Sequence, residues 1–140
     1  MCSAVEVGDQ IIGFAGDAAR LPVLLRSGGT LWLPWGEPYG RERGAWVPGP
    51  CARLDSIQSG KWDRFRPVAV KIAVERYMER NARNVPYWAR LRAGEYLQGL
   101  VATVGDEKRV YVVTVETPAP YRHVSERWPR ILSTGDTSPS

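Results

Sequence analysis

Cys2 follows Met1 directly, and that position gives it chemistry an internal cysteine lacks. Once Met1 is removed, Cys2 carries a free amine and a thiol on adjacent carbons. The amine condenses with an aldehyde to an imine, and the sulfur then closes a five-membered thiazolidine ring on the same carbon. Both groups titrate near neutrality, the amine near ~8 and the thiol near ~8.5, so modest tuning makes either nucleophilic. Imine formation also needs a group that takes and returns protons. Glu75 and Glu79 are the carboxylates placed for this, provided burial raises one of them toward the working pH.

The remaining inventory argues against other chemistries. His123 is the single histidine, no CxxC pair occurs, and no glycine-rich phosphate loop ends in a lysine. A histidine metal cluster or a nucleotide cradle cannot be assembled from such parts, so neither a metal nor a cofactor is expected. A serine triad would need a nucleophile-elbow signature, which is missing.

A chain of 140 residues predicts one domain with its own core. That domain is expected over residues 1–132, with a disordered tail over 133–140 that holds no apolar residue. Two cysteines, the lack of a charged-then-apolar leader and the lack of an apolar run near the ~20 residues that span a bilayer predict a cytoplasmic monomer with no membrane contact. The formal charge is +4 with a pI near 9.3, and lysine supplies only three of the 19 basic residues. Arginine grips phosphate with a planar fork and stacks on flat rings. Six tryptophans and six tyrosines add rings of their own, a composition that suits a single-stranded nucleic-acid binder.

The elements that must position these groups read as follows. Leu21 to Arg26 and Thr30 to Pro34 flank Ser27-Gly28-Gly29 and predict a hairpin. From Trp35 to Pro50 glycine and proline recur, which predicts a long surface loop. Val68 to Val74 alternates with period 2 and predicts a strand with one face in the core. Tyr96 to Thr103 and Arg109 to Glu116 flank Gly105-Asp106 as a second hairpin. Short helices are expected near Asp55 to Gly60, capped by an Asp or Ser, and near Pro120 to Arg127. Together these predict an α+β domain built on a mixed or antiparallel, barrel-like sheet with a few short helices.

In order and spacing the segments resemble the SOS response-associated peptidase family, the abasic-site sensors that cross-link to damaged single-stranded DNA. Met1-Cys2 is similar to the family's start, and Leu21-Pro22-Val23 with Trp35-Gly36 is similar to its "P-V" strand and Trp-Gly loop. Ala52-Arg53-Leu54-Asp55-Ser56-Ile57 resembles "N-A-R-A-E-T", Tyr77-Met78-Glu79 stands where "F-Y-E" is usual, and Arg127-Trp128-Pro129-Arg130-Ile131-Leu132 resembles "R-M-P-V-I-L". The resemblance runs from Met1 to Leu132. It implies that Cys2 bonds the ring-opened sugar aldehyde of an abasic site after Met1 is removed, a removal the protein itself performs as an autopeptidase. It implies Glu79 as the acid and base of imine formation. Arg53, Arg127 and the loop residues Trp35, Arg41 and Arg43 become contacts to the DNA strand.

Two positions depart from the family. Cys51 replaces the asparagine of "N-A-R", and Ser125 falls where a histidine is usual, with His123 two residues earlier. In extended backbone His123 faces the same side as Ser125 and takes the catalytic place, whereas in a helix it cannot. Three other functions stay open: a non-catalytic binder of single-stranded DNA, a thiol peptidase acting only on its own N-terminus, and a protein-binding domain using the aromatic loop from Trp35 to Trp46.

Overall fold

A computed structural model of the chain describes residues 1–15, 18–40 and 44–134. Within them the chain is mostly strand, in two sheets. The smaller sheet takes β1 (Ala4–Val7), β2 (Gln10–Gly13), β7 (Arg76–Arg80) and β8 (Pro86–Arg90) in the order β2-β1-β7-β8, all antiparallel. The larger takes β3 (Arg20–Leu24), β4 (Thr30–Pro34), β6 (Val68–Ile72), β9 (Glu95–Val104), β10 (Glu107–Glu116) and β11 (Arg127–Pro129) in the order β11-β10-β9-β6-β3-β4. Two short strands join it from the side: β5 (Cys51–Arg53) runs parallel to β10, and β12 (Ile131–Ser133) pairs with β9.

Residues on β9 and β10 alternate between two apolar clusters. Leu97, Val101, Val110 and Val112 face the cluster shared with the smaller sheet, while Leu100, Ala102, Tyr111 and Val113 face a second one with Trp46, Trp62 and Phe65. Strands buried on both faces read as continuous apolar runs, which is why Val110 to Val113 carries the strongest β signal in the sequence. Both expected hairpins and the Val68 strand are present.

The sheets do not close into a barrel. β4 approaches β10 only through a single bridge, Trp35 to Val110, because the chain turns away at Gly36 and β5 takes the adjoining edge of β10. Helix is scarcer than expected. One five-residue helix, α1 (Leu54–Gln58), follows β5, and no side chain caps it. The segment expected to be helical near Pro120 forms a 3₁₀ turn at Ala119–Tyr121 and enters β11 at Arg127. The first two residues of the segment expected as a tail are paired. Ser133 pairs with Glu95, and the Thr134 amide donates to the Gly94 carbonyl at 2.7 Å, while residues 135–140 lie outside the described residues.

The described residues of the loop from Trp35 to Pro50 are tied down rather than free. The Trp35 indole donates to the Pro50 carbonyl at 3.0 Å, the Tyr111 hydroxyl to Val47 at 2.7 Å, and the Arg109 guanidinium to Gly36 at 3.0 Å and to the Glu37 carboxylate at 2.9 Å. Trp35 and Trp46 are buried, the latter beneath Arg109, which leaves Tyr39 as the exposed aromatic of the loop. Gly36 anchors the turn at φ +54, its amide donates to the Val110 carbonyl at 2.8 Å, and an added Cβ would strike the Gly49 carbonyl. A left-handed non-glycine residue costs about 1–2 kcal/mol before any clash. Gly36→Ala is therefore expected to lower unfolding free energy by at least about 2 kcal/mol, read as a lower urea midpoint with an unchanged slope.

Candidate active site

The site forms where the first residues of the chain cross β7. β1 pairs with β7 so that Ala4 lies opposite Met78 and Val5 opposite Tyr77. Alternation along β7 sends Tyr77 and Glu79 inward and Arg76, Met78 and Arg80 to the other face. Continuing the register by one residue sets Ser3 opposite Glu79, with Cys2 and Met1 the next two residues of the chain.

Glu79 has no exposed surface. Its carboxylate forms an ion pair with the Met1 amine, and no backbone amide donates to either oxygen among the described residues. The amine also donates to Ser125 Oγ at 3.1 Å, and the Ser125 hydroxyl donates to the Arg127 carbonyl at 2.9 Å. Because the hydroxyl proton is committed to Arg127, Ser125 offers the amine a fixed lone pair. Burial pushes the Glu79 carboxyl above its ordinary value, while the amine pulls it back.

Cys2 is completely buried beside this pair, its thiol pointing to the Ala4 carbonyl at 3.8 Å. Desolvation raises that thiol well above the ordinary range, with the nearby Cys51 and Glu79 adding to the effect. Cys51 Sγ donates to the Cys2 carbonyl at 3.5 Å, and burial pushes the Cys51 thiol up to about 12. Tyr77 is also raised by burial, with Cys2 and Glu79 among the groups it faces.

Aromatic side chains surround the N-terminus. Tyr77 meets Trp128 edge-on at 5.6 Å, Trp128 stacks with Tyr121 at 5.0 Å, and Tyr87 completes the row at 6.2 Å from Tyr121. Tyr87 and Tyr121 remain exposed. On the other side the Tyr39 hydroxyl lies 4.0 Å from Met1 Sδ. Arg127 donates to the Thr114 carbonyl at 2.8 Å and lies close enough to Cys51 to favour its thiolate. Arg53 points to the same side of β5 as Cys51. It is exposed and holds Asp55 through two bonds at 3.0 and 2.8 Å, at an open cleft of about 430 Å³ that also includes Ser56, Ser59 and Lys61.

Of the residues singled out in the sequence, Cys2, Glu79, Cys51, Ser125 and Arg127 thus converge, with Arg53 beside them. Others do not. His123 is exposed on the turn after the 3₁₀ segment, and Ser125 instead reaches the amine. Trp35 is 2 % exposed and packs on Phe14, so it has no free face on which a base could stack. Glu75 is exposed and accepts the Gly8 amide at 2.8 Å, away from the amine. Arg41 and Arg43 lie outside the described residues. Sequence reasoning overlooked Tyr87 and Tyr121 as exposed rings and took Tyr39 only as part of the aromatic loop. Their flanking glycines and prolines signalled loops and edges, where an aromatic stays exposed, but tryptophans drew the attention.

Among the described residues no group of three His, Cys, Asp or Glu side chains is arranged to hold a metal, and no helix is long and apolar enough to cross a membrane. No family model and no curated protein matches the chain. A carboxyl whose folded pKa exceeds its unfolded value binds more protons when folded, so stability falls as pH rises through that interval. Glu79→Gln removes the effect. Its stability relative to the parent protein should increase as pH rises from 4.5, the ordinary carboxyl value, and then level off, as urea melts of both proteins across this range will report.

Proposed function

We propose that the protein captures abasic sites in single-stranded DNA through the Cys2 aminothiol, as a divergent relative of the SOS response-associated peptidases acting in the cytoplasm. The observation that carries this reading is the ion pair between the N-terminal amine and the buried Glu79, formed directly beside Cys2 and Cys51. A carboxyl raised by burial and held against an amine is equipped to exchange protons with it near neutrality. With Met1 removed, the Cys2 amine moves toward that carboxyl and Cys2 gains access to solvent.

The reaction follows from these groups. The Cys2 amine attacks the aldehyde carbon of the ring-opened sugar, and Glu79 in its acid form protonates the departing hydroxyl as water leaves and the imine forms. The thiol then adds to the imine carbon, its proton passing to nitrogen, and the thiazolidine ring closes with one water released overall. An abasic site presents no base, so binding draws on phosphates and neighbouring bases. Arg53 and Lys61 at the open cleft and the exposed rings of Tyr39, Tyr87 and Tyr121 suit those two tasks.

Protein with Cys2 at its N-terminus, mixed with a single-stranded oligonucleotide carrying one abasic site, is expected to give a shifted band on a denaturing gel. Cys2→Ala should give none, and Glu79→Gln should slow the shift by about 100-fold or more, the ordinary range for a lost general acid. Salt-sensitive binding on a native gel without any denaturing shift would leave a DNA binder without chemistry.

A further inference from the structure

We propose that Cys2 and Cys51 form a reversible disulfide once Met1 is gone, and that this bond switches the aminothiol off under oxidation. The bond is argued from the two thiols alone, whereas its effect on DNA capture rests on the function proposed above. Cys51 Sγ already touches the Cys2 backbone at 3.5 Å, both thiols are free, and both pack into one apolar cluster. From that contact each α-carbon is a short covalent step away. The roughly 4.4–6.8 Å between α-carbons that a disulfide needs therefore requires a change of rotamer and a small shift of one residue.

The fold decides which residue shifts. Cys51 is fixed in β5 by its pairing with Val112, whereas Cys2 precedes β1, whose pairing begins at Ala4. While Met1 is present, its amine is held by Glu79 and Ser125 and Cys2 is sealed from solvent. Cys2 then stays reduced, since an oxidant cannot reach it. Removing Met1 takes away that tether and leaves Cys2 as a terminal residue, free to turn its sulfur toward Cys51. The same processing step that arms the aminothiol also makes it sensitive to oxidation.

A low-molecular-weight disulfide such as glutathione disulfide is the oxidant. Cys2, once exposed, attacks it as the thiolate, forming a mixed disulfide and expelling one glutathione thiolate, and the Cys51 sulfur, giving up its proton to that thiolate, displaces the other. Two protein thiols are oxidised to one disulfide, two glutathione thiols are produced, and the protein loses two hydrogens. With its sulfur in that bond Cys2 can still form an imine, but it cannot close the thiazolidine ring.

The test uses protein with Cys2 as its first residue, released from a fusion leader, beside protein that retains Met1, both exposed to glutathione disulfide. Intact mass should fall by two hydrogens in the processed protein alone, and a non-reducing peptide map should join the Cys2 and Cys51 peptides. Denaturing-gel capture of the abasic strand should be lost in the oxidised protein and return with dithiothreitol, while Cys51→Ser should stop at a glutathione adduct on Cys2 and form no bridge. Two free thiols or a glutathione adduct without the bridge in the processed protein that keeps both cysteines, or equal bridging in the protein that retains Met1, would overturn the proposal. If reduced protein captures no abasic strand, the mass and the peptide map still decide the disulfide, so the two readings fail separately.

Discussion

A carboxylate with no exposed surface has to be compensated, and at Glu79 the compensating charge is the chain's own first amine. Removing an ion from water costs several kcal/mol even after relaxation, and no backbone amide among the described residues offsets this at Glu79. The smaller sheet is organised by that constraint. Slipping β1 by one residue along β7 would move Val5 from the core side to the solvent side and carry Met1 away from the carboxylate. Hydrophobic register and electrostatic pairing thus select the same alignment, and the site inherits its geometry from both.

The larger sheet supplies rigidity on which the small one depends. β10 is buried on both faces, and β5 and β11 lie against it, so Cys51 and Arg127 are fixed to the best-packed strand of the molecule. The loop between β4 and β5 is held to the same strand by the Arg109–Glu37 ion pair, which the Trp46 ring partly covers. Most tryptophans are consumed by this packing, with Trp35, Trp46, Trp62 and Trp128 all buried. The exposed rings beside the N-terminus are tyrosines, whose hydroxyls tolerate water at one end while the ring offers a flat face.

What the sequence disclosed and what it hid have physical causes. The central strands were legible because two-sided burial enforces unbroken apolar runs, as at Val110 to Val113, and because Gly105-Asp106 marks the turn between them. The smaller sheet was not. In β2 and β8 the alternation is blurred by exposed apolar residues such as Ile11 and Tyr87, and Gly13 and Pro86 imitate turn signals. The expected helix near Pro120 is a single 3₁₀ turn, Ala119–Tyr121, from which the chain passes to β11. At the site, Cys2, Glu79, Cys51 and Ser125 were singled out and do converge. Trp35 was misplaced because a ring in a glycine-rich loop looks exposed, yet its indole donor finds a carbonyl inside.

Cys51 and Ser125 bear on one property, which is who can carry a proton. A thiol raised to about 12 at Cys51 does not ionise near neutrality, and the Ser125 hydroxyl, committed to the Arg127 carbonyl, orients the amine without titrating. His123 is held out in solvent by the turn that buries Val124. Proton exchange at the amine therefore falls to Glu79 alone, and its burial matters twice. The same desolvation that makes the carboxylate costly to fold raises its pKa toward the range where an acid and a base are both populated. A more exposed glutamate would make the protein more stable near neutrality and leave its amine without a partner able to return the proton.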